Sequence, residues 1–554
     1  MPNRKLASHS LEFLILILIG ILVLIPIGLI LFQSFWSAEF GYAGELSGEH
    51  YSSLTSNPSI PKMMRNTLIL VISQTTLAII FGVGLAWLVA RTNVPLKGFI
   101  EKALVAGFII PGFGVAIGWA MLGAPETGLL NNWLPIQINM FSIEGMIWVG
   151  SISYTPIAFL MTLPMFKSMN IELEEASYVL SGSRIRTFFR ITLPLAAPSI
   201  FSSVIIVGIL AVEDFVIPMI LGLPGRVFVM TSQIYTSLYS SPPNIGGASS
   251  LSMLLVAATM IGLFIQRTYL SKKQFTTITG KGMKPSTIDL GRFKYVGLLL
   301  AILYLLNSIV LPFIPLIITA FVKVYTPWVT FADFTLVNFY RIFFERGDAL
   351  RALSNTIILG VLAATLAVFI GIAVAQIVYK GTSGRHRVLD YFSIMSIGIP
   401  GIVLAIGMLW LWIALPINVY GTRWIILMAY IVRFMPYSVR AISGNTQQIH
   451  KELEEASSVL GGSWFRTFRN ITFPLLKPSI LSSWAFVFIL TSRELVASAI
   501  LSSPGNEVLS VFILDLWWYW GLNELAVLAL IQAALIAGVY LIFRRISKAG
   551  ISLS

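Results

Sequence analysis

Apolar runs long enough to cross a bilayer recur twelve times in this chain, and no other property restricts its fold so sharply. Hydrocarbon offers nothing to hydrogen-bond, so a run of about 20 apolar residues can enter it only as a helix that satisfies its own backbone. The runs lie near 12–35, 64–90, 101–122, 144–166, 195–221 and 248–267, then near 295–321, 353–379, 389–414, 423–442, 477–501 and 525–544. Only 11% of the residues are charged, against about 25% in soluble domains, so the chain reads as an all-α polytopic membrane protein of about 12 spans. The first run, Phe13 to Phe32, follows Arg4 and Lys5 as in a signal peptide. It is nearer spanning length and has no small-residue cleavage site after it, so a retained first helix is expected.

The formal charge of +13 would suit a nucleic-acid binder, but its distribution suits a membrane better. If the N-terminus is inside, the inner loops hold Arg91, Lys97 and Lys102, then Arg184, Arg186 and Arg190, then seven bases between Arg267 and Lys294. In the second half they hold Lys380, Arg385 and Arg387, then Lys451, Arg466, Arg469 and Lys477, then Arg544, Arg545 and Lys548. Residues 124–143 and 502–524 hold none, and the loop from Asp333 to Arg351 is mixed. Bases collect on the cytoplasmic side, which puts both termini there and leaves no surplus to explain by nucleic acid. There is no cysteine, and His9, His50, His386 and His450 all lie outside the spans, so no metal-ligand cluster and no catalytic constellation is expected.

The runs form two sets of six because the chain is a tandem duplication. Glu172 to Ile200, ELEEASYVLSGSRIRTFFRITLPLAAPSI, returns 280 residues later as ELEEASSVLGGSWFRTFRNITFPLLKPSI, with 20 of 29 positions identical. Asn66-Thr67, Pro111-Gly112 and Ala116-Ile117-Gly118 return 289 residues later as Asn355-Thr356, Pro400-Gly401 and Ala405-Ile406-Gly407. The change of offset assigns about nine extra residues to the first half, near 124–143. Six spans per half make the repeat parallel about an axis along the membrane normal, enclosing one central path. The expected division is a first half at 1–268, a basic linker at 269–294 and a second half at 295–554.

In the duplicated stretch, Leu173, Ala176, Ser177 and Leu180 make a weakly apolar helical stripe, with Glu172, Glu174 and Glu175 in the first turns. Leu453, Ala456, Ser457 and Leu460 repeat it against Glu452, Glu454 and Glu455. Ser181-Gly182-Ser183 and Gly461-Gly462-Ser463 break the helix, and the last serine can cap the next. A helix resting on headgroups is one explanation, yet three glutamates would be repelled by an anionic leaflet. A docking surface for two equivalent partners explains the repetition better.

These stretches resemble the EAA loop of ABC importer permeases: Glu-Ala-Ala, three residues, Gly, nine residues, Ile, one residue, Leu-Pro. The first copy has Glu175-Ala176-Ser177, Ser181, Ile191 and Leu193-Pro194; the second has Glu455-Ala456-Ser457, Gly461, Ile471 and Phe473-Pro474. The resemblance covers nearly the whole chain and implies two fused type I importer permease domains, with EAA loops at 170–194 and 450–474. It implies docking of two copies of a cytoplasmic ABC ATPase through Glu172, Glu174, Glu175, Ala176, Ser181 and Gly182, and through Glu452, Glu454, Glu455, Ala456, Gly461 and Gly462. The chain has no G-x-x-x-x-G-K-[ST] loop, so ATP and Mg are expected on that partner and no cofactor on this chain. A periplasmic or lipid-anchored substrate-binding protein and membrane lipid complete the implied partners, in a bacterial inner membrane. A single chain with two six-span halves most resembles the ferric iron permeases; thiamine, aminoethylphosphonate and polyamine are alternative cargoes. A secondary transporter, the other class with repeated halves, leaves the duplicated stretch unexplained.

Each fifth span carries a charge pair at matching places, Glu213-Asp214 and Arg493-Glu494. Charges there face a cavity or each other. They therefore either line the path or pair across the halves, Glu213 or Asp214 with Arg493. Arg433, where the repeat has Ser153, has no evident partner. Pro111-Gly112, Pro400-Gly401, Tyr154-Thr155-Pro156 and Met435-Pro436 are expected to kink their helices and assist packing. Trp517-Trp518-Tyr519-Trp520 reads as an interfacial aromatic belt, with contact to a binding protein as the alternative.

Overall fold

The computed structural model describes residues 2–39, 41–135, 137–169, 174, 177, 183–272, 287–326, 328–380, 385–519 and 521–550. Among these, ten helices are long and apolar enough to cross a membrane, and twelve if each of two sharply bent pairs counts as one span. Strand pairing among them amounts to isolated bridges. The first six spans are Pro2–Ser34, Ser59–Arg91, the pair Lys97–Ile109 and Gly112–Gly123, Ile143–Ser168, Phe188–Val212, and Ile245–Lys272. The second six are Phe293–Phe321, Gly347–Lys380, the pair Arg385–Gly398 and Gly401–Ala414, Arg423–Thr446, Trp464–Ser492, and Leu522–Gly550.

The third span of each half departs from the expected kink. It breaks at Pro111-Gly112 and Pro400-Gly401 into two helices set 94° and 110° apart. Proline removes the N–H that would continue the ladder and drives the residue before it to extended backbone. Pro156 and Pro436, by contrast, lie inside continuous helices. The difference lies in what receives the freed groups, since broken backbone at membrane depth survives only where protein re-satisfies it.

The fifth spans are interrupted as well, at Glu213–Phe215 and Arg493–Leu495, and side chains from neighbouring spans take up their free carbonyls. Gln74 and Tyr154 donate to the oxygens of Ala211 and Leu210, and Gln532 donates to that of Ser492. Thr231 donates to the Asp214 oxygen and Ser510 to the Glu494 oxygen, a matched pair. The repeated Asn-Thr dipeptide of the second span clamps the chain that follows. Asn66 donates to Phe228 O and Thr67 accepts from Met230 N; Asn355 donates to Glu507 O and Thr356 accepts from Leu509 N. The nine extra residues of the first half fall between Gly123 and Ile143, where a short helix, Leu129–Trp133, is tied down by Asn131 bonding to Ala124 O and to both backbone groups of Ile138.

The halves interlock through their first spans. The first span of the first half packs on Gly401–Ala414, and that of the second half packs on Gly112–Gly123. The repeated glycines make this possible, because a Cβ at Gly118 would stand 2.0 Å from Pro312 O and one at Gly407 2.6 Å from Pro26 O. Gly118→Val and Gly407→Val should each cost about 1–3 kcal/mol by overpacking, read as a lowered unfolding midpoint in detergent. Gly84, with nothing within 4 Å of its would-be Cβ, is the comparison site, and equal midpoints for all three variants would refute the close approach.

Candidate translocation site and docking surface

All four charged residues of the fifth-span pairs line one cavity of about 280 Å³ at the junction of the halves. Tyr154, Arg433 and Tyr437 line it too. The pairs do not play one uniform role. Asp214 and Glu494 cap the backbone where each broken span resumes: Asp214 Oδ1 accepts from Val216 N at 3.0 Å, and both Glu494 oxygens accept from Ala497 N at 3.1–3.2 Å. A carboxylate at such an end is favoured by the amides it satisfies and by the helix dipole.

Glu213 and Arg493 look across to the other half instead. Arg493 Nη1 donates to Phe108 O at 2.7 Å, a carbonyl in the last turn before the first-half break. Glu213 interacts with Arg433 and the Gly401 amide, at the start of the helix after the second-half break. Among the described residues the ion pair in the cavity is Arg433 with Glu494, at 3.3 Å, and not the pairing of Arg493 with Glu213 or Asp214 read from the sequence. Arg433 is thus the participant that the sequence left without a partner. Its only signal was a base inside a span where the repeat has Ser153. Tyr154 and Tyr437 gave none, since a tyrosine in a span is ordinary.

At the duplicated stretch, Glu172, Glu175, Ala176, Ser181 and Gly182 lie outside the described residues. Glu174, expected to face a partner, is buried instead: it is ion-paired with Arg91 at the end of the second span and accepts from Thr192 Oγ1 at 2.6 Å. Glu454 makes the same 2.6 Å bond with Thr472. Ser177 and Ser457 bond Thr187 and Thr467, each at 2.8 Å. One internal lattice therefore holds both copies, and Glu174 and Glu454 belong to it. A π-helical turn, Phe188–Thr192 and Phe468–Thr472, precedes each proline and carries Thr192 and Thr472.

What remains outward in the second copy is Glu452, Glu455 and Ala456, with Leu453, Val459, Leu460, Trp464 and Phe465. The helix Lys451–Val459 stops at Gly461, whose φ of +79° is the left-handed cap geometry that glycine adopts without strain. Gly462 packs against Ser457, leaving no room for a Cβ. Ser183 and Ser463 cap the following short helices, accepting from Arg186 N and Arg466 N. Of the aromatic run, Tyr519 is exposed, Trp517 is half-buried and Trp520 lies outside the described residues.

Two interlocked six-span halves around a charged central cavity, with a polar helix-turn-helix exposed on the second, define a membrane permease of the ABC importer class. The family model for binding-protein-dependent transport system inner membrane components matches residues 78–276 and 367–549, and the chain belongs to that family. It is 27% identical over 515 residues to the ferric transport system permease protein FbpB of Actinobacillus pleuropneumoniae, covering 90% of this chain and 72% of that one. It is 24% identical over 506 residues to the Fe(3+)-transport system permease protein FbpB 2 of Haemophilus influenzae, covering 90% of both. A solved bacterial ABC transporter involved in the import of the acidic polysaccharide alginate aligns with 49% of this chain and 98% of its own, at 19% identity and a TM-score of 0.41.

Proposed function

We propose that this permease moves ferric iron, delivered by an extracytoplasmic binding protein, into the cytoplasm of a bacterium, driven by ATP on two copies of a separate ATPase. The observation that carries the iron reading is similarity to ferric permeases along 90% of the chain, both halves included. The cavity suits it chemically. Glu213, Asp214, Glu494, Tyr154 and Tyr437 offer oxygen atoms, the donors a hard cation prefers, while Arg433 and Arg493 oppose tight capture. A path needs that balance, because an ion held firmly does not leave.

The docking surface is the exposed face of the second copy, with Glu452, Glu455, Ala456 and Gly461, and the repeat assigns the same role to Glu172, Glu175, Ala176, Ser181 and Gly182 in the first. Both termini lie with it in the cytoplasm, where basic loops are retained. The ATPase supplies ATP and Mg, and this chain binds no cofactor of its own. The test is uptake by proteoliposomes holding this chain, its ATPase and its binding protein, with ferric iron, thiamine, aminoethylphosphonate and a polyamine offered in turn. Iron uptake that needs both ATP and the binding protein is expected; uptake driven by an ion gradient without ATP would replace the reading with a secondary transporter.

A further inference from the structure

Glu213 and Arg493 hold equivalent places in the two fifth spans, one an acid and one a base, and each engages a broken third span of the opposite half. Arg493 meets a helix C-terminus: Phe108 lies in the last turn of Lys97–Ile109, and the guanidinium also lies 5.2 Å from the centre of the Phe108 ring. Glu213 meets a helix N-terminus, the amide of Gly401 that opens Gly401–Ala414. Base at a carbonyl end and acid at an amide end are the signs that helix dipoles favour. The asymmetry of the two charge pairs is thereby accounted for.

Arg433 ties these contacts together. Its Nη1 stands 1.1 Å from where a Cβ at Gly401 would be, so it occupies the room that glycine leaves, and it faces both Glu213 and Glu494. Gly112, at the equivalent place in the first half, has nothing within 4 Å. The network is also loosely held, since Arg433 Nη1 approaches Glu494 Oε1 at 3.3 Å as an ion pair without hydrogen-bond geometry. A fully satisfied buried network would fix one state; this one loses less on parting.

We propose that Glu213, Arg433 and Arg493 form a charge latch that closes the cavity by gripping the broken third spans across the halves, and that every transport cycle parts and remakes it. The Pro-Gly breaks let each half-helix swing away from its continuation. The proposal rests on the reading of the cavity as the transport path.

The absence of cysteine from the sequence makes the test direct. Ile109 and Ile489, from opposite halves, share one buried cluster beside the latch without belonging to it. In I109C/I489C, with a protease site inserted between 273 and 286, oxidation should keep the cut halves joined on a non-reducing gel. It should also lower ATP-driven uptake at least tenfold, with recovery on reduction. Full uptake by the cross-linked protein would overturn the latch. No uptake even before oxidation, with the unmodified chain equally inactive, would instead overturn the importer reading. As a second arm, Glu213→Gln should raise ATP hydrolysis in the absence of binding protein at least threefold while uptake falls. Unchanged hydrolysis there would also count against the latch.

Discussion

Gly401→Ala should lower uptake by ten- to a hundredfold, while Gly112→Ala, the same change at the repeat-equivalent position, should cost far less. Both glycines open the helix after a Pro-Gly break, and alanine is compatible with either backbone, so conformational freedom does not distinguish them. Space does. A methyl group at 401 claims the position of the Arg433 guanidinium, whereas one at 112 enters open volume. Displacing Arg433 leaves Glu494 and Glu213 facing each other without their shared base, and an uncompensated buried charge costs about 3–5 kcal/mol. The measurement is initial uptake rate in proteoliposomes at matched protein content. Equal losses at 112 and 401 would refute the asymmetric role of Arg433.

Arg91→Met is expected to have the second large effect, from the opposite end of the molecule. Arg91 is buried and binds both Glu174 and the backbone oxygen of Met169, so it joins the second span to the chain that leads into the first docking stretch. Removing it leaves Glu174 charged, buried and, among the described residues, held by Thr192, again a loss of about 3–5 kcal/mol. The unfolding midpoint should fall, and ATP hydrolysis should cease to drive uptake because one dock is no longer oriented. Glu454, half-exposed, should tolerate alanine much better than Glu174 does. Similar loss for Glu174→Ala and Glu454→Ala would show that the buried ion pair adds nothing to the dock.

Much of this was legible in the sequence because lipid allows so few solutions. Spanning length placed most transmembrane elements to within about six residues, but the first span begins ten residues earlier than expected and the second fifth span thirteen residues earlier, at Trp464. The offset between repeats placed the inserted segment correctly. The four intramembrane charges led to the cavity, since a charge in a span has few places to go. What stayed hidden depended on three-dimensional approach. Pro111-Gly112 reads as a kink because a local rule says that proline bends a helix. Whether it bends by 20° or 94° depends on whether Arg493, 385 residues away, accepts the duty of satisfying Phe108 O. Nothing in the sequence distinguishes Glu174 chemically from its glutamate neighbours, and it is the approach of Arg91 and Thr192 that makes it an inward anchor. Arg433 illustrates the same limit: its position was conspicuous, but its partners lie on other spans.

The exchange of first spans has a consequence for biosynthesis. Pro26 finds its close partner at Gly407, about 380 residues later, so the first helix enters the membrane long before the surface it is shaped for has been translated. At roughly 5–20 residues per second the interval is on the order of 20–75 s, during which that helix has lipid or the insertion machinery for a neighbour. Neither half is a complete unit until the other arrives, and the first-made helix finds its packing surface only in the second half.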